Sequence, residues 1–148
     1  MAFGKETSAE LAGVQQNYER RLKPLAEIKW HVLPASRHTA PDTVRNEESQ
    51  RLLEVLKPSD TIILLDERGQ QQTNEQFAKT FQQLSGGQGR LVLVIGGAFG
   101  VNDALRERAQ FVWSFSKLVF PHQLVRVLLL EQLYRTFMVL QNHPYHHT

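Results

Sequence analysis

Two short, uninterrupted apolar runs constrain the fold of this chain more than any other feature. Residues 61–65 and 91–95 each have the length of a strand, and neither alternates between apolar and polar side chains. Strands of this kind are covered by helices on both faces, as in a parallel sheet. A helical stripe formed by Phe77, Phe81 and Leu84 separates the two runs, so the order strand, helix, strand predicts an α/β fold.

The rest of the chain continues this alternation of helices and strands. The further predicted elements are helices over residues 7–22, 46–57, 102–110 and 122–140, strands over residues 28–32 and within 111–120, and loops over residues 36–44 and 85–89. The length of 148 residues, without a repeat or a long linker, predicts a single domain over residues 1–148. Ligands of parallel sheets bind beyond the carboxyl ends of the strands, which marks the loops at residues 65–69 and 96–100.

Three of the predicted helix starts carry capping signals. Thr7 with Glu10, and Thr73 with Gln76, have the spacing of a capping box. Asn102 is suited to cap the helix that follows the second apolar run.

Composition limits the functions that the chain can have. The formal net charge of +2 is compatible with an RNA partner but is lower than a dedicated nucleic-acid-binding domain would carry. The absence of cysteine excludes disulfides and thiolate chemistry. No apolar run reaches the ~20 residues that span a bilayer, and residues 1–10 do not read as a signal peptide. We therefore expect a soluble, cytoplasmic protein that makes no membrane contact.

A cluster of glycines follows the second apolar run. Gly96, Gly97 and Gly100 lie between a predicted strand and a predicted helix. Glycine lets the main chain approach a ligand closely, and the N–H groups at a helix start can hold an anion. The spacing matches neither the dinucleotide-binding fingerprint nor the P-loop. Taken alone, the cluster is either a ligand-binding loop or a tight turn.

The segment of residues 115–126 mixes apolar side chains with a few polar ones, including Lys117, His122 and Arg126. An apolar lining with a few convergent polar groups is typical of a cofactor pocket. The same pattern is typical of a buried strand followed by a helix that begins at Pro121. The spacing alone favours this second interpretation.

The last predicted helix, residues 122–140, is apolar on almost every face. A helix of this kind has to be buried on most faces, and in so small a chain the simplest partner is a second copy. Glu131 and Arg135 are four residues apart, which predicts an ion pair within the helix. Arg126 then remains as a candidate for contact with phosphate.

Several motifs, in the same order along the chain, resemble the RlmH family of SPOUT-class methyltransferases. They are LLDERG at residues 64–69, VIGGAFG at 94–100, FSKLVFPHQLVR at 115–126, EQLYR at 131–135 and HPYH at 143–146. The likeness is close from about residue 60 to the end and looser before it. The resemblance implies an α/β-knot, with a mostly parallel sheet flanked by helices and a deep C-terminal trefoil knot, and an obligate homodimer.

The resemblance also implies a cofactor, a substrate and a set of cofactor-binding residues. The cofactor is S-adenosylmethionine, and the substrate is N3 of a pseudouridine in 23S ribosomal RNA of the assembled ribosome. A ribosomal substrate would explain why the chain has no separate RNA-binding domain. Carried over to this sequence, the cofactor-binding residues are Leu65, Gly96, Phe115, Ser116, Lys117, Leu118, Val119 and Phe120.

Methylation at N3 requires the ring to lose a proton, which a nearby base or a cationic side chain would assist. The candidates for this role are His122, Arg126, Arg135, Tyr145 and His146, and the last two can come from the same chain or from its partner. The sequence does not choose among them. The histidines near the C-terminus have no accompanying carboxylate or thiolate cluster, so we expect no metal site.

Two alternative functions stand beside the one that the resemblance implies. An inactive dimeric ribosome-binding module would keep the fold without binding the cofactor. An unrelated nucleotide- or flavin-binding protein would have an unknotted sheet, and the late glycine cluster argues against it.

Members of the family open with a full strand that leads into Gly-Lys, whereas only Ala2 and Phe3 precede Gly4 and Lys5 here. We therefore expect a short first strand.

Overall fold

The computed structural model describes residues 1–4 and 7–143. In chain order its elements are β1 (Ala2–Phe3), α1 (Ala9–Leu22), β2 (Val32–Leu33), α2 (Pro41–Val55), β3 (Thr61–Gln70), α3 (Asn74–Ser85), β4 (Leu91–Ile95), α4 (Asp103–Arg108), β5 (Phe111–Trp113) and α5 (His122–Leu140). They form two compact units. The first comprises residues 1–4, 30–71 and 84–119, and the second comprises residues 7–29, 72–83 and 120–143. The single domain over residues 1–148 stays a prediction.

A parallel sheet of three strands forms the centre of the first unit, with β3 between β4 and β5. Leu65 pairs with Ile95 on one side and with Trp113 on the other, so these three residues lie side by side across the sheet. The strands predicted at residues 61–65, at residues 91–95 and within residues 111–120 are confirmed. β3 runs five residues beyond its apolar part, because Gln70 pairs with Trp113 after an irregularity in the register. Gly69 permits this close approach, since a Cβ there would lie 2.6 Å from the carbonyl oxygen of Val112.

Two further short strands belong to the first unit. β1 pairs in parallel with β2, and Met1 joins β4 through its hydrogen bonds with Leu93 and Ile95. The expectation of a short first strand is confirmed. The prediction of a strand over residues 28–32 was wrong for residues 28–31, because β1 offers only two residues for pairing.

The core of the first unit lies between the sheet and the helices α2 and α4. Its buried apolar side chains are Met1, Phe3, Leu52, Ile62, Leu64, Val92, Val94, Val101 and Leu105. Full burial of a side chain of this size contributes about 1.5–3 kcal/mol. Ile63, whose side chain points to the opposite face of β3, is also fully buried. The sheet is therefore covered on both faces, as the uninterrupted apolar runs predict.

The second unit consists of α1, α3 and α5. α1 packs along α5, and the main-chain N–H of Ser8 donates to the side chain of Gln123 at 2.8 Å. Phe81 of α3 meets Phe137 of α5 edge to face, with ring centroids 5.5 Å apart. The predicted bounds of α5, residues 122–140, are confirmed. The reciprocal hydrogen bonds between Thr73 and Gln76 confirm the predicted capping box.

Two predicted helix starts were wrong. α2 begins at Pro41 instead of residue 46, so residues 41–44 are helical and not part of a loop. Proline is well tolerated in the first turn because the missing N–H would have no partner there. α1 begins at Ala9 with Ser8 at its N-cap, and no side chain caps it, so the capping box of Thr7 with Glu10 does not form. The deep C-terminal trefoil knot stays a prediction.

Candidate active site

The loops that leave the carboxyl edge of the central sheet bring together most of the predicted cofactor-binding residues. Because Leu65, Ile95 and Trp113 are neighbours in the register, Gly96 and Ser114 follow at the same edge. Seven of the eight predicted residues belong to the first unit and lie in or next to these loops, and Phe120 belongs to the second unit. An edge of this kind is where parallel α/β sheets bind their ligands.

The glycine loop, residues 96–100, is a tight turn at the end of β4. The main-chain N–H of Gly100 donates to the carbonyl of Gly97 at 3.0 Å, and Gly100 has a φ of +73°, which favours glycine. A Cβ at Gly96 would lie 2.9 Å from Val101, and one at Gly97 would lie 1.8 Å from Oε2 of Glu48. The loop therefore needs glycine at these positions for close packing.

The helix α4 is fixed to the end of the glycine loop. The side chain of Asn102 accepts a hydrogen bond from the N–H of Leu105 at 3.0 Å, which confirms the predicted cap. The main-chain N–H of Asn102 donates to Oγ of Ser49 on α2 at 2.9 Å. The loop is thus held from below by α2 as well as by its own turn.

The polar end of β3 carries a buried carboxylate, Asp66. The prediction of a loop over residues 65–69 was wrong, because β3 continues beyond its apolar part and pairs again with β5 at Gln70. The main-chain N–H of Arg68 donates to it at 2.9 Å, and the guanidinium groups of Arg68 and Arg106 lie 3.3 and 3.1 Å away. Burial raises the pKa of Asp66, but the hydrogen bonds from Arg68 and the positive charges of both arginines outweigh it and lower the pKa. Asp66 stays ionised and connects the end of β3 to α4 through its ion pair with Arg106.

The segment after β5 is an ordered turn with exposed apolar side chains. Ser114 donates through its hydroxyl to the carbonyl of Ser116 at 2.8 Å, and the N–H of Leu118 donates to Oγ of Ser116 at 3.0 Å. Phe115 packs edge to face on Trp113 with ring centroids 4.6 Å apart. Leu118 is 70% exposed and Val119 is 83% exposed. Residues 115–119 are therefore no buried strand, and apolar surface is available to a ligand at the sheet edge.

The remaining candidates belong to the second unit. His122 is the first residue of α5 and is half-buried, whereas Arg126 is only 2% exposed and its burial lowers the pKa of its guanidinium. Arg135 forms the predicted ion pair with Glu131, at 2.7 Å. Arg126 is too deeply buried to contact a phosphate that approaches from bulk solvent. The catalytic roles of these residues stay predictions.

Tyr145 and His146 lie outside the described residues. Among residues 1–4 and 7–143, no three or more histidine, aspartate or glutamate side chains are grouped as metal ligands would be. No helix within the described ranges is long and apolar enough to cross a membrane.

Glu48 is a buried residue beside the glycine loop that the sequence reasoning missed. It is buried on α2 together with Val44 and Leu52, one turn before and one turn after it. That spacing places a glutamate in the middle of a buried helical stripe, and it is the signal that could have identified Glu48. Its contacts with Ser36 and Gly97 come from segments far apart in the chain, so the sequence does not show them.

A parallel α/β sheet with glycine-rich and apolar loops at its carboxyl edge is typical of α/β proteins that bind a ligand there. A family model described as "Predicted SPOUT methyltransferase" matches residues 1–146, and the chain belongs to the SPOUT methyltransferase family. The predicted family, fold class and enzyme class are confirmed at this level.

Curated relatives named Ribosomal RNA large subunit methyltransferase H match over nearly the whole chain. The protein of Natranaerobius thermophilus is 38% identical over 99% of this chain and 97% of its own length. The protein of Pelobacter propionicus is 39% identical, over 97% and 95%, and that of Christiangramia forsetii is 34% identical, over 99% and 96%.

A solved structure also matches, that of the SpoU methyltransferase AviRb from Streptomyces viridochromogenes in complex with the cofactor AdoMet. It is 16% identical and covers 93% of this chain and 57% of its own chain, with a TM-score of 0.44.

Proposed function

We propose that this chain transfers a methyl group from S-adenosylmethionine to large-subunit ribosomal RNA. The observation that carries the proposal is the arrangement of the strand ends in a chain of the SPOUT methyltransferase family: Leu65, Gly96 and the turn after Trp113 leave one edge of the sheet. The name shared by relatives that match this chain from end to end supports ribosomal RNA as the substrate.

The residues at this edge fit S-adenosylmethionine. The exposed side chains of Leu118 and Val119 offer apolar surface for a purine ring, and the glycines at 96 and 97 leave main-chain groups open to polar atoms. When bound, the cofactor supplies a methyl group already activated by the sulfonium, so the protein's contribution is mainly to position the reactants.

The finer proposal is that the methyl group goes to N3 of a pseudouridine in 23S ribosomal RNA, on the assembled ribosome in the cytoplasm. N3 has to lose a proton, and the candidates to accept it or to stabilise the resulting charge are His122, Arg126, Arg135, Tyr145 and His146. Recognition of an assembled particle is consistent with the modest net charge of +2.

We propose further that the protein acts as a homodimer. Several apolar residues of α5 are only half-buried in the single chain, namely Leu124, Val125, Leu128, Val139 and Leu140. A second copy would cover such residues, and it would allow the C-terminal residues of one chain to reach the site of the other. Sedimentation at micromolar concentration should give twice the mass of the chain, and a monomer would contradict this part of the proposal.

The activity is tested with the full-length protein, labelled S-adenosylmethionine and ribosomes that lack the modification. We expect label in the large-subunit RNA of assembled particles and none in naked 23S RNA, with mass spectrometry placing the methyl group on N3 of a pseudouridine. Label on another nucleotide would contradict the finer proposal. Cofactor binding by calorimetry separates an enzyme from an inactive ribosome-binding module, which would bind no cofactor.

A further inference from the structure

A buried carboxylate lies directly beneath the glycine loop. Glu48 is 4% exposed, and its Oε1 accepts a hydrogen bond from the main-chain N–H of Ser36 at 2.9 Å. Its Oε2 is buried and accepts no hydrogen bond from any of the described residues. One half of the carboxylate is therefore satisfied by the chain, and the other half is not.

The unsatisfied oxygen points at the loop that follows β4. A Cβ at Gly97 would lie 1.8 Å from Oε2, so the oxygen occupies the space that any other side chain at this position would need. The next residue on α2, Ser49, holds the far end of the same loop through Asn102. Glu48 is thus in contact with the glycine loop, and its unsatisfied oxygen lies against Gly97.

A buried carboxylate with one hydrogen bond destabilises the folded chain, because the lost hydration is only partly replaced. A buried polar atom that has no partner in the chain is paired with a ligand or an ordered water, or belongs to a functional site. The neighbouring carboxylate, Glu47, shows the ordinary arrangement, since it is half-exposed and pairs with Arg51 and with the hydroxyl of Ser36. Of these two adjacent glutamates, only Glu48 has a buried carboxylate oxygen without a hydrogen-bond partner among the described residues.

We propose that Glu48 belongs to the cofactor site and accepts, through Oε2, a hydrogen bond from S-adenosylmethionine. The donor is either a ribose hydroxyl or the ammonium of the methionine part, since both are donors that a carboxylate binds well. Ser36 fixes the orientation of the carboxylate by its bond to Oε1. The inference rests on the proposed function, because it assigns a residue to the same site.

The first measurement is the affinity of the full-length protein for S-adenosylmethionine by calorimetry, for the unchanged chain, Glu48→Gln and Glu47→Gln. We expect Glu48→Gln to weaken binding about 10-fold, because the amide carries no charge to strengthen the hydrogen bond. Glu47→Gln is the matched control and should stay within about 2-fold, since Glu47 contacts the same serine but not the glycine loop. Equal affinity of all three proteins would overturn the inference.

The second measurement identifies the donor with two cofactor analogues. S-adenosylhomocysteine keeps both the ribose and the ammonium, whereas methylthioadenosine keeps only the ribose. A loss of affinity on Glu48→Gln for both analogues assigns the ribose hydroxyl, and a loss restricted to S-adenosylhomocysteine assigns the ammonium. No loss for either analogue would overturn the inference.

The third measurement separates a ligand contact from simple support of the loop. Without cofactor, Glu48→Gln should melt at the same or a higher temperature than the unchanged chain, because a poorly satisfied charge is removed. A support role predicts a lower melting temperature together with weaker binding of every ligand, and that result would overturn the inference. If the unchanged chain binds no S-adenosylmethionine, the proposed function itself fails.

Discussion

Two buried carboxylates, Asp60 at the amino edge of the central sheet and Glu48 beside its carboxyl edge, differ in how they are satisfied. At the amino edge, Asp60 precedes β3 and accepts hydrogen bonds from the N–H of Lys57 at 2.8 Å and from Nε of Arg90 at 2.9 Å. At the carboxyl edge, Glu48 has a partner on one oxygen only. The chain therefore satisfies both oxygens of Asp60, whereas it leaves one oxygen of Glu48 without a partner among the described residues.

The same contrast appears in the side chains around each edge. At the amino edge, the guanidinium of Arg108 donates to the carbonyls of Lys57, Pro58 and Asp60 at 3.0 to 3.1 Å, which leaves this end of the sheet with its polar groups satisfied. At the carboxyl edge, Leu118 stays exposed to solvent. The comparison predicts that the amino edge contributes mainly to stability, and we propose that the carboxyl edge binds the ligand.

The largest effect is expected from Gly97→Ala, which places a methyl group against Oε2 of Glu48. We expect affinity for S-adenosylmethionine to fall about 100-fold, or about 2.7 kcal/mol, with a lower free energy of unfolding as well. Calorimetry and urea unfolding measure the two quantities. Glu48→Ala in the same chain removes the clash and should recover part of the stability; strictly additive effects of the two changes would contradict the contact.

The next effect is expected from Asp60→Ala at the opposite edge. It removes a buried acceptor and leaves the N–H of Lys57 without its side-chain partner, which should lower the free energy of unfolding by about 2 kcal/mol. Affinity for the cofactor should stay unchanged, because Asp60 is at the end of the sheet away from the loops. Urea unfolding and calorimetry test the separation of the two edges, which a matching loss of affinity would break.

A smaller effect is expected from Leu118→Ser. The side chain is largely exposed, so the free energy of unfolding should not change, whereas loss of apolar contact should weaken cofactor binding about 5-fold, or about 1 kcal/mol. Val14→Ser is the control, since Val14 is an exposed apolar residue on α1. If both substitutions leave the affinity unchanged, Leu118 is not part of the cofactor site.

The smallest effect is the dependence of stability on pH. The hydrogen bond from Arg90 outweighs burial and lowers the pKa of Asp60 from its usual 3.8, and the pKa of Asp66 is lowered too. Both groups therefore stabilise the fold at any pH above that usual value, and the contribution is lost as the pH falls through their lowered values. The urea concentration at the midpoint of unfolding should decrease as the pH falls. This decrease should be weaker for Asp60→Ala than for the unchanged chain.

Much of the fold could be predicted because it depends on local patterns. The uninterrupted apolar runs identified the buried parallel strands, and the capping residues Thr73 and Asn102 marked two helix starts. The first turn of α2 was missed, since Pro41, Asp42 and Thr43 show no apolar periodicity. Local patterns show where a helix packs, but a polar first turn leaves no such trace.

The site could be predicted only in part. Gly96 and the segment after β5 were identified by resemblance, and the register of the strands explains why they share an edge. Glu48 was missed because its burial depends on a loop 12 residues before it and on the turn at Gly97. Contacts between distant segments follow from the tertiary fold, so no local pattern in the sequence reveals them.

The contact between Gly97 and Glu48 also restricts how this chain can change over evolutionary time. A side chain at position 97 requires the carboxylate at position 48 to move away or to be lost, because Oε2 occupies the space of a Cβ there. Substitutions at these two positions should therefore be linked, with a smaller residue at position 48 making a side chain at position 97 easier to accept. A lineage that has lost the carboxylate would have given up the buried acceptor, and its loop could then acquire a new shape.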